Sequence, residues 1–187
     1  MNKRAIYGVM SGGGAVGLAA AFLQMLEKIQ LLKNADKALV CDLNSVFSCS
    51  SVLSAWQSSV FGFPNSLMCI VFFSAFTVAA LAGLSGASLP RSFRISIHAM
   101  SLLVLGFALW FLWQSIYAIG SLCILCIFCL AGLLLVNWAW LRINANDLPI
   151  GRRGQAALAR LIKSDLDTFS WVLLGAVIAF AMLLRFL

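Results

Sequence analysis

Gly120-Ser121-Leu122-Cys123-Ile124-Leu125-Cys126-Ile127-Phe128-Cys129 sets a Cys-x-x-Cys pair at the head of a long apolar run, and the reading of that run decides the fold. If it is a transmembrane helix, Cys123 and Cys126 share one face of its first turn, because residues three apart on a helix are neighbours. At the membrane edge such a pair can meet a soluble thiol on one side and a lipid-soluble electron carrier on the other. The unpaired amides and the positive dipole end at a helix N-terminus favour a thiolate there.

The rest of the chain agrees with a membrane setting. Of its 187 residues, 63% are hydrophobic and 10% charged, and mean hydropathy is +1.01, whereas a soluble domain carries about 25% charged residues. Each crossing takes about 20 apolar residues plus a connection, so four to five helices fill the length and leave no room for a soluble catalytic domain. The net charge of +7 comes from short basic clusters between apolar runs, which read as orientation signals and not as a nucleic-acid surface. The first apolar run is longer than a signal-peptide core and no Ala-x-Ala-like site follows it, so it counts as a span.

Five spans are expected, at about 6–26, 65–83, 95–117, 122–140 and 167–185. The catalytic bundle would occupy about 1–141, a cytoplasmic linker about 142–166, and a fifth helix the remainder to 187, all within a single transmembrane domain. In the first span, Gly8 to Gly12 and Gly13 to Gly17 have the small-xxx-small spacing that lets a neighbouring helix approach closely. Residues 50–56 suit a short interfacial helix with Trp56 at headgroup depth, ended by Pro64 further on, and 155–162 look amphipathic. Trp110, Trp113 and Tyr117 crowd one end of the third span as an aromatic belt does.

An N-terminus in the cytoplasm puts nine basic residues inside (Lys3, Arg4, Arg91, Arg94, Arg142, Arg152, Arg153, Arg160 and Lys163) and four outside (Lys28, Lys33, Lys37 and Arg185), which satisfies the positive-inside rule. The loop 41–49 and the Cys123 end of the fourth span then share the outer face, where disulfides persist. Cys41 and Cys49 are separated by seven residues. They can bond each other as a static staple, or move independently on a link that spans roughly 25 Å when extended. Cys69 and Cys129 read as packing residues, although Cys129 shares a face with Cys126. His98 reads as a hydrogen-bonded packing residue.

Taken together, Cys41, Cys49-Ser50-Ser51-Val52, Trp56, Phe61-Gly62-Phe63-Pro64-Asn65 and Cys123-Ile124-Leu125-Cys126 resemble the vitamin K epoxide reductase family in its bacterial branch, over roughly 1–141. The resemblance implies an all-α integral membrane protein: a four-helix bundle around a quinone, with the loop helix as a lid and a fifth transmembrane helix appended. By position it implies that Cys126 adjoins the quinone, Cys123 exchanges with Cys49, Cys41 meets a partner protein, and Asn65 hydrogen-bonds a quinone carbonyl. Ala55 stands where many members carry Ser or Thr, which leaves Ser54 as the nearby hydroxyl. Leu130 stands where the vertebrate enzymes carry a Tyr used in vitamin K binding, so the resemblance does not extend to epoxide reduction as the physiological task. Some bacterial members fuse a thioredoxin-like domain after the fifth helix. Here a separate thiol partner is expected.

The expected function is a thiol:quinone oxidoreductase of the bacterial cytoplasmic membrane, monomeric and multi-pass, that reoxidises a periplasmic thioredoxin-like disulfide carrier. Electrons would run from the carrier to Cys41 and Cys49, on to Cys123 and Cys126, and then to ubiquinone or menaquinone. One rival is a quinone or quinone-epoxide reductase whose product is the quinol itself. Another is a metal-handling protein that uses the four cysteines as soft ligands, against which stand the single His and the lack of acidic residues within the expected spans, Asp167 standing only at the first position of the fifth.

Overall fold

A computed structural model describes residues 2–34 and 39–186. Lys37, one of the four basic residues expected outside, falls beyond the described residues. Among the described residues, five helices are long and apolar enough to cross a membrane: α1 (Lys3–Lys33), α3 (Asn65–Leu84), α4 (Arg91–Gln114, continued by a π-helical turn Ser115–Ile119), α5 (Ile124–Ile143) and α7 (Leu166–Phe186). Two shorter helices, α2 (Cys49–Ser54) and α6 (Gly151–Lys163), lie in the connections. Successive spans run antiparallel, so the C-terminal end of α1, the start of α3, the end of α4 and the start of α5 gather at one end of the bundle.

Helix α1 is the spine. Its 31 residues span about 46 Å at 1.5 Å per residue, well beyond a hydrocarbon core of about 30 Å. It therefore continues past the expected end near Leu26 for almost two turns. Small residues let α1 lie against two neighbours at once. A Cβ on Gly17 would fall 2.1 Å from the Phe73 ring of α3, and one on Gly132 of α5 would fall 2.6 Å from the Gly13 carbonyl oxygen. Of the two expected small-residue pairs, only Gly13 and Gly17 pack. A Cβ on Gly8 or Gly12 would meet no atom within 4 Å, since both lie on the face of α1 turned away from α3 and α5.

The core of the bundle contains Met10, Phe73, Phe76, Leu133, Val136 and Trp140, all essentially inaccessible. Asn137 and Ser101 are paired across it: the Asn137 Nδ2 donates to the Ser101 and Leu133 carbonyls, and Ser101 Oγ donates to Asn137 Oδ1 at 2.9 Å. At the end opposite the cysteines, Arg142 donates to both carboxylate oxygens of Asp167 at 2.6 and 2.7 Å and to Asp165 at 2.5 Å, clamping α7 to α5. Arg94 pairs with Asp147. The rest of α7 is largely exposed outside the four-helix bundle formed by α1, α3, α4 and α5.

The fourth span begins later than its sequence indicates. The π-helical turn after α4 closes on Gly120, whose φ of 74° is the left-handed conformation glycine tolerates. Leu122 then pairs with the cysteine loop in a short parallel bridge: its amide donates to the Val46 carbonyl at 2.7 Å and its own carbonyl accepts from Ser48 N at 3.0 Å. Only after that bridge can the helix start, at Ile124. Cys123 is thus the residue that caps α5 and not a member of its first turn, with Sγ accepting from Cys126 N at 3.4 Å.

Candidate functional site

The cysteine loop is held by its own polar groups. Asn44 Oδ1 accepts from Val46 N and Phe47 N at 2.9 and 2.8 Å, closing a tight turn. One carboxylate oxygen of Asp42 accepts from Leu39 N at 3.0 Å and the other from Ser50 N at 2.9 Å, in the first turn of α2. Burial alone pushes the Asp42 carboxyl up, but the Ser50 and Leu39 amides and the Ser50 and Ser48 hydroxyls outweigh it, so the group titrates below its ordinary 3.8. Ser48 caps α2, its Oγ accepting from Ser51 N.

This frame brings four cysteines together. Cys41 and Cys49 are bonded, with Cα atoms 5.6 Å apart. Cys49 Sγ lies 3.4 Å from Cys123 Sγ, and both residues are buried. Cys123 Sγ accepts from the Cys126 amide at 3.4 Å.

Beneath the pair is a cavity. Its walls are mostly apolar, from Phe107, Phe111, Leu112, Leu130 and Leu133, while Cys123, Cys126 and Asn65 border its outer part. A lining of this chemistry suits a flat, largely apolar molecule. Asn65 opens α3 directly after Pro64; its Nδ2 donates to the Gln57 carbonyl at 2.7 Å, and its Oδ1 is buried without a partner. Part of its donor capacity is therefore spent on the lid. Cys69 and Cys129 also border the cavity, Cys129 Sγ lying 3.7 Å from the Gly17 carbonyl oxygen.

Three polar residues of the site were not anticipated. Gln24 Nε2 lies 2.7 Å from Cys126 Sγ and 3.6 Å from Cys123 Sγ. One turn further along α1, Lys28 Nζ donates to the Leu53 carbonyl and to Ser58 Oγ, fastening the lid formed by α2 and the 3₁₀ turn Trp56–Ser59. Ser58 Oγ donates to the same carbonyl at 2.7 Å. Ser58 borders the cavity, as do Ser66 and Ser115, whereas Ser54 is exposed at the end of α2. Glu27 is buried on α1 with Oε2 unpartnered, so the first span does contain an acidic residue. The spacing of Gln24 and Lys28, four apart on one helical face within an otherwise apolar run, was the available signal.

The sequence profile of the vitamin K epoxide reductase family matches residues 9–141, from the first turns of α1 through α5. No curated protein matches the chain. A membrane bundle of four helices, a lid, two loop cysteines and a Cys-x-x-Cys at the mouth of an apolar cavity lie within the matched region, and the chain belongs to the vitamin K epoxide reductase family, whose members are membrane oxidoreductases linking cysteine thiols to quinones.

Proposed function

We propose that this protein is a thiol:quinone oxidoreductase that reoxidises a separate thioredoxin-like disulfide carrier outside the bacterial cytoplasmic membrane, its N-terminus lying in the cytoplasm. The observation that carries this reading is the 3.4 Å separation of Cys49 Sγ and Cys123 Sγ, with Cys49 bonded to Cys41 on the loop side and Cys123 next to Cys126 over the cavity. Two dithiol pairs in series are what a relay needs.

A ubiquinone or menaquinone in the cavity would supply the oxidising power, taking up two electrons and two protons. The residues fit such a group. Asn65 keeps one N–H for a carbonyl and an unpartnered Oδ1 that can accept from a hydroxyl, so it suits both the oxidised and the reduced ring. The protein's own part is to bring thiols into reach, to hold charge on sulfur, and to keep water out. Lys28 and Ser58 do the last by tying the lid down through the Leu53 carbonyl.

The test is stoichiometry in reconstituted protein supplied with a reduced thioredoxin-like carrier and a soluble quinone. The relay predicts one carrier disulfide for each quinol formed, and loss of both products in Cys49→Ala. With a small-molecule dithiol added as a second reductant, quinol formation at the dithiol's expense while the carrier thiols stay reduced would support the reductase reading in its place.

A further inference from the structure

Passing electrons from the loop pair to the membrane pair means breaking a Cys123–Cys126 disulfide, and the sulfur that leaves must carry negative charge inside an apolar bundle. We propose that the Gln24 carboxamide is the catalytic donor that holds this charge on Cys126, and that it thereby sets the redox potential of the Cys123–Cys126 pair above that of the Cys41–Cys49 pair. The inference rests on the relay reading above.

The nearest donors to the two sulfurs differ, although Gln24 Nε2 also reaches Cys123 Sγ at 3.6 Å. Cys123 Sγ accepts from the Cys126 amide through the helix cap. Cys126 Sγ has no such cap, and the side-chain donor directed at it, at 2.7 Å, is Gln24 Nε2. Gln24 is only 6% exposed, and the hydrogen bonds its Nε2 donates both end on sulfur. A carboxamide in a membrane span is unfavourable unless its donors are used, and an apolar side chain would pack there at no such cost. Lys28, one turn away, is committed to the Leu53 carbonyl and Ser58.

The exchange balances with groups the chain itself provides. The Cys49 thiolate attacks Cys123 of the oxidised pair, the Cys49–Cys123 bond forms, the Cys123–Cys126 bond breaks, and its electron pair leaves on Cys126, facing the Gln24 N–H. The Cys41 thiolate then attacks Cys49, Cys123 leaves, and the Cys41–Cys49 bond forms. Two electrons and the two protons of the loop thiols have passed to Cys123 and Cys126. The structure holds the end of this sequence: the loop pair bonded, Cys123 and Cys126 free, and Gln24 on the Cys126 sulfur. A donor that stabilises the reduced pair raises its potential, which makes the inward transfer downhill.

The test uses the full chain in detergent, equilibrated over a series of dithiol redox buffers, quenched in acid, alkylated and mapped by mass spectrometry so that each pair is followed separately. Gln24→Met keeps the size and removes the donor, and Gln24→Leu repeats the loss with a different shape. Both are expected to shift the Cys123–Cys126 equilibrium about tenfold toward the disulfide, a fall of about 30 mV for two electrons, with the Cys41–Cys49 potential unmoved. An unchanged Cys123–Cys126 potential in both variants, or equal shifts of the two pairs, would overturn the assignment. A wild-type protein in which Cys123 and Cys126 never bond at any poise would instead remove the relay on which it rests.

Discussion

Replacing Asn65 with Ala separates the quinone step from the thiol steps. Asn65 is 8% exposed, opens α3, and bridges the lid and the cavity. The substitution removes the N–H still available to a quinone carbonyl and the unpartnered Oδ1, and it leaves the Gln57 carbonyl without its donor. A buried carbonyl without a hydrogen bond costs about 1–3 kcal/mol, and a loss of about 1.4 kcal/mol weakens binding about tenfold. The lid retains its other fastening through Lys28 and Ser58, so the cysteine loop should keep its geometry. The expected result is a rise of about tenfold or more in the quinone concentration needed for half-maximal oxidation of prereduced protein, followed by stopped-flow. Exchange of Cys41 and Cys49 with a reduced carrier, measured without quinone, should match wild type. An unchanged quinone dependence would mean that the headgroup sits elsewhere and that Asn65 serves only the start of α3 and the lid.

Further outcomes follow from the same structure. In Cys49→Ala, a mixed disulfide between Cys41 and the carrier should accumulate on non-reducing gels, whereas Cys41→Ala should trap no partner. After mild reduction, Cys41 in intact spheroplasts should react with a membrane-impermeant maleimide; labelling only after lysis would reverse the proposed orientation. Gly132→Ala puts a Cβ within 2.6 Å of the Gly13 carbonyl oxygen and should destabilise the bundle by about 1–3 kcal/mol, read as a lower unfolding temperature in detergent, while Gly12→Ala, in open space, should be neutral. Because Asp42 titrates below 3.8 in the folded loop, its contribution is complete above that value and is lost as pH falls through the depressed pKa. Hydrogen exchange of the peptide 39–50 should therefore show no added opening between pH 7 and 5 and clear opening below pH 3.8, and Asp42→Asn should be open already at pH 7.

What the chain discloses without its structure is set by range along the sequence. Five apolar runs, a Cys-x-x-Cys at the start of one and a cysteine loop before another are local patterns, and each maps onto an element. The end of α1 did not disclose itself, because Gln24, Glu27 and Lys28 lower the local hydropathy and read as the exit from the membrane. Lys28 is covered by α2 and the 3₁₀ turn and Gln24 meets Cys123 and Cys126, contacts that form only after the chain has returned through Cys49 and again through α5. The place of Cys123 as cap was hidden for the same reason, since the bridge that delays α5 pairs Leu122 with residues 46–48, more than 70 positions earlier. The small-residue spacing in α1 is equally good on two faces, and only the positions of α3 and α5 select Gly13 and Gly17 over Gly8 and Gly12.

The central claim, that electrons pass between the loop and the membrane through Cys49 and Cys123, is tested most directly by disulfide mapping of the Cys41→Ser, Cys126→Ser double variant. Removing the outer and inner partners leaves two sulfurs 3.4 Å apart in the native structure. After purification in air and acid quenching, mass spectrometry should find a Cys49–Cys123 disulfide as the dominant linkage. Cys49 and Cys123 recovered as free thiols, or Cys123 bonded instead to Cys69 or Cys129, would contradict the relay.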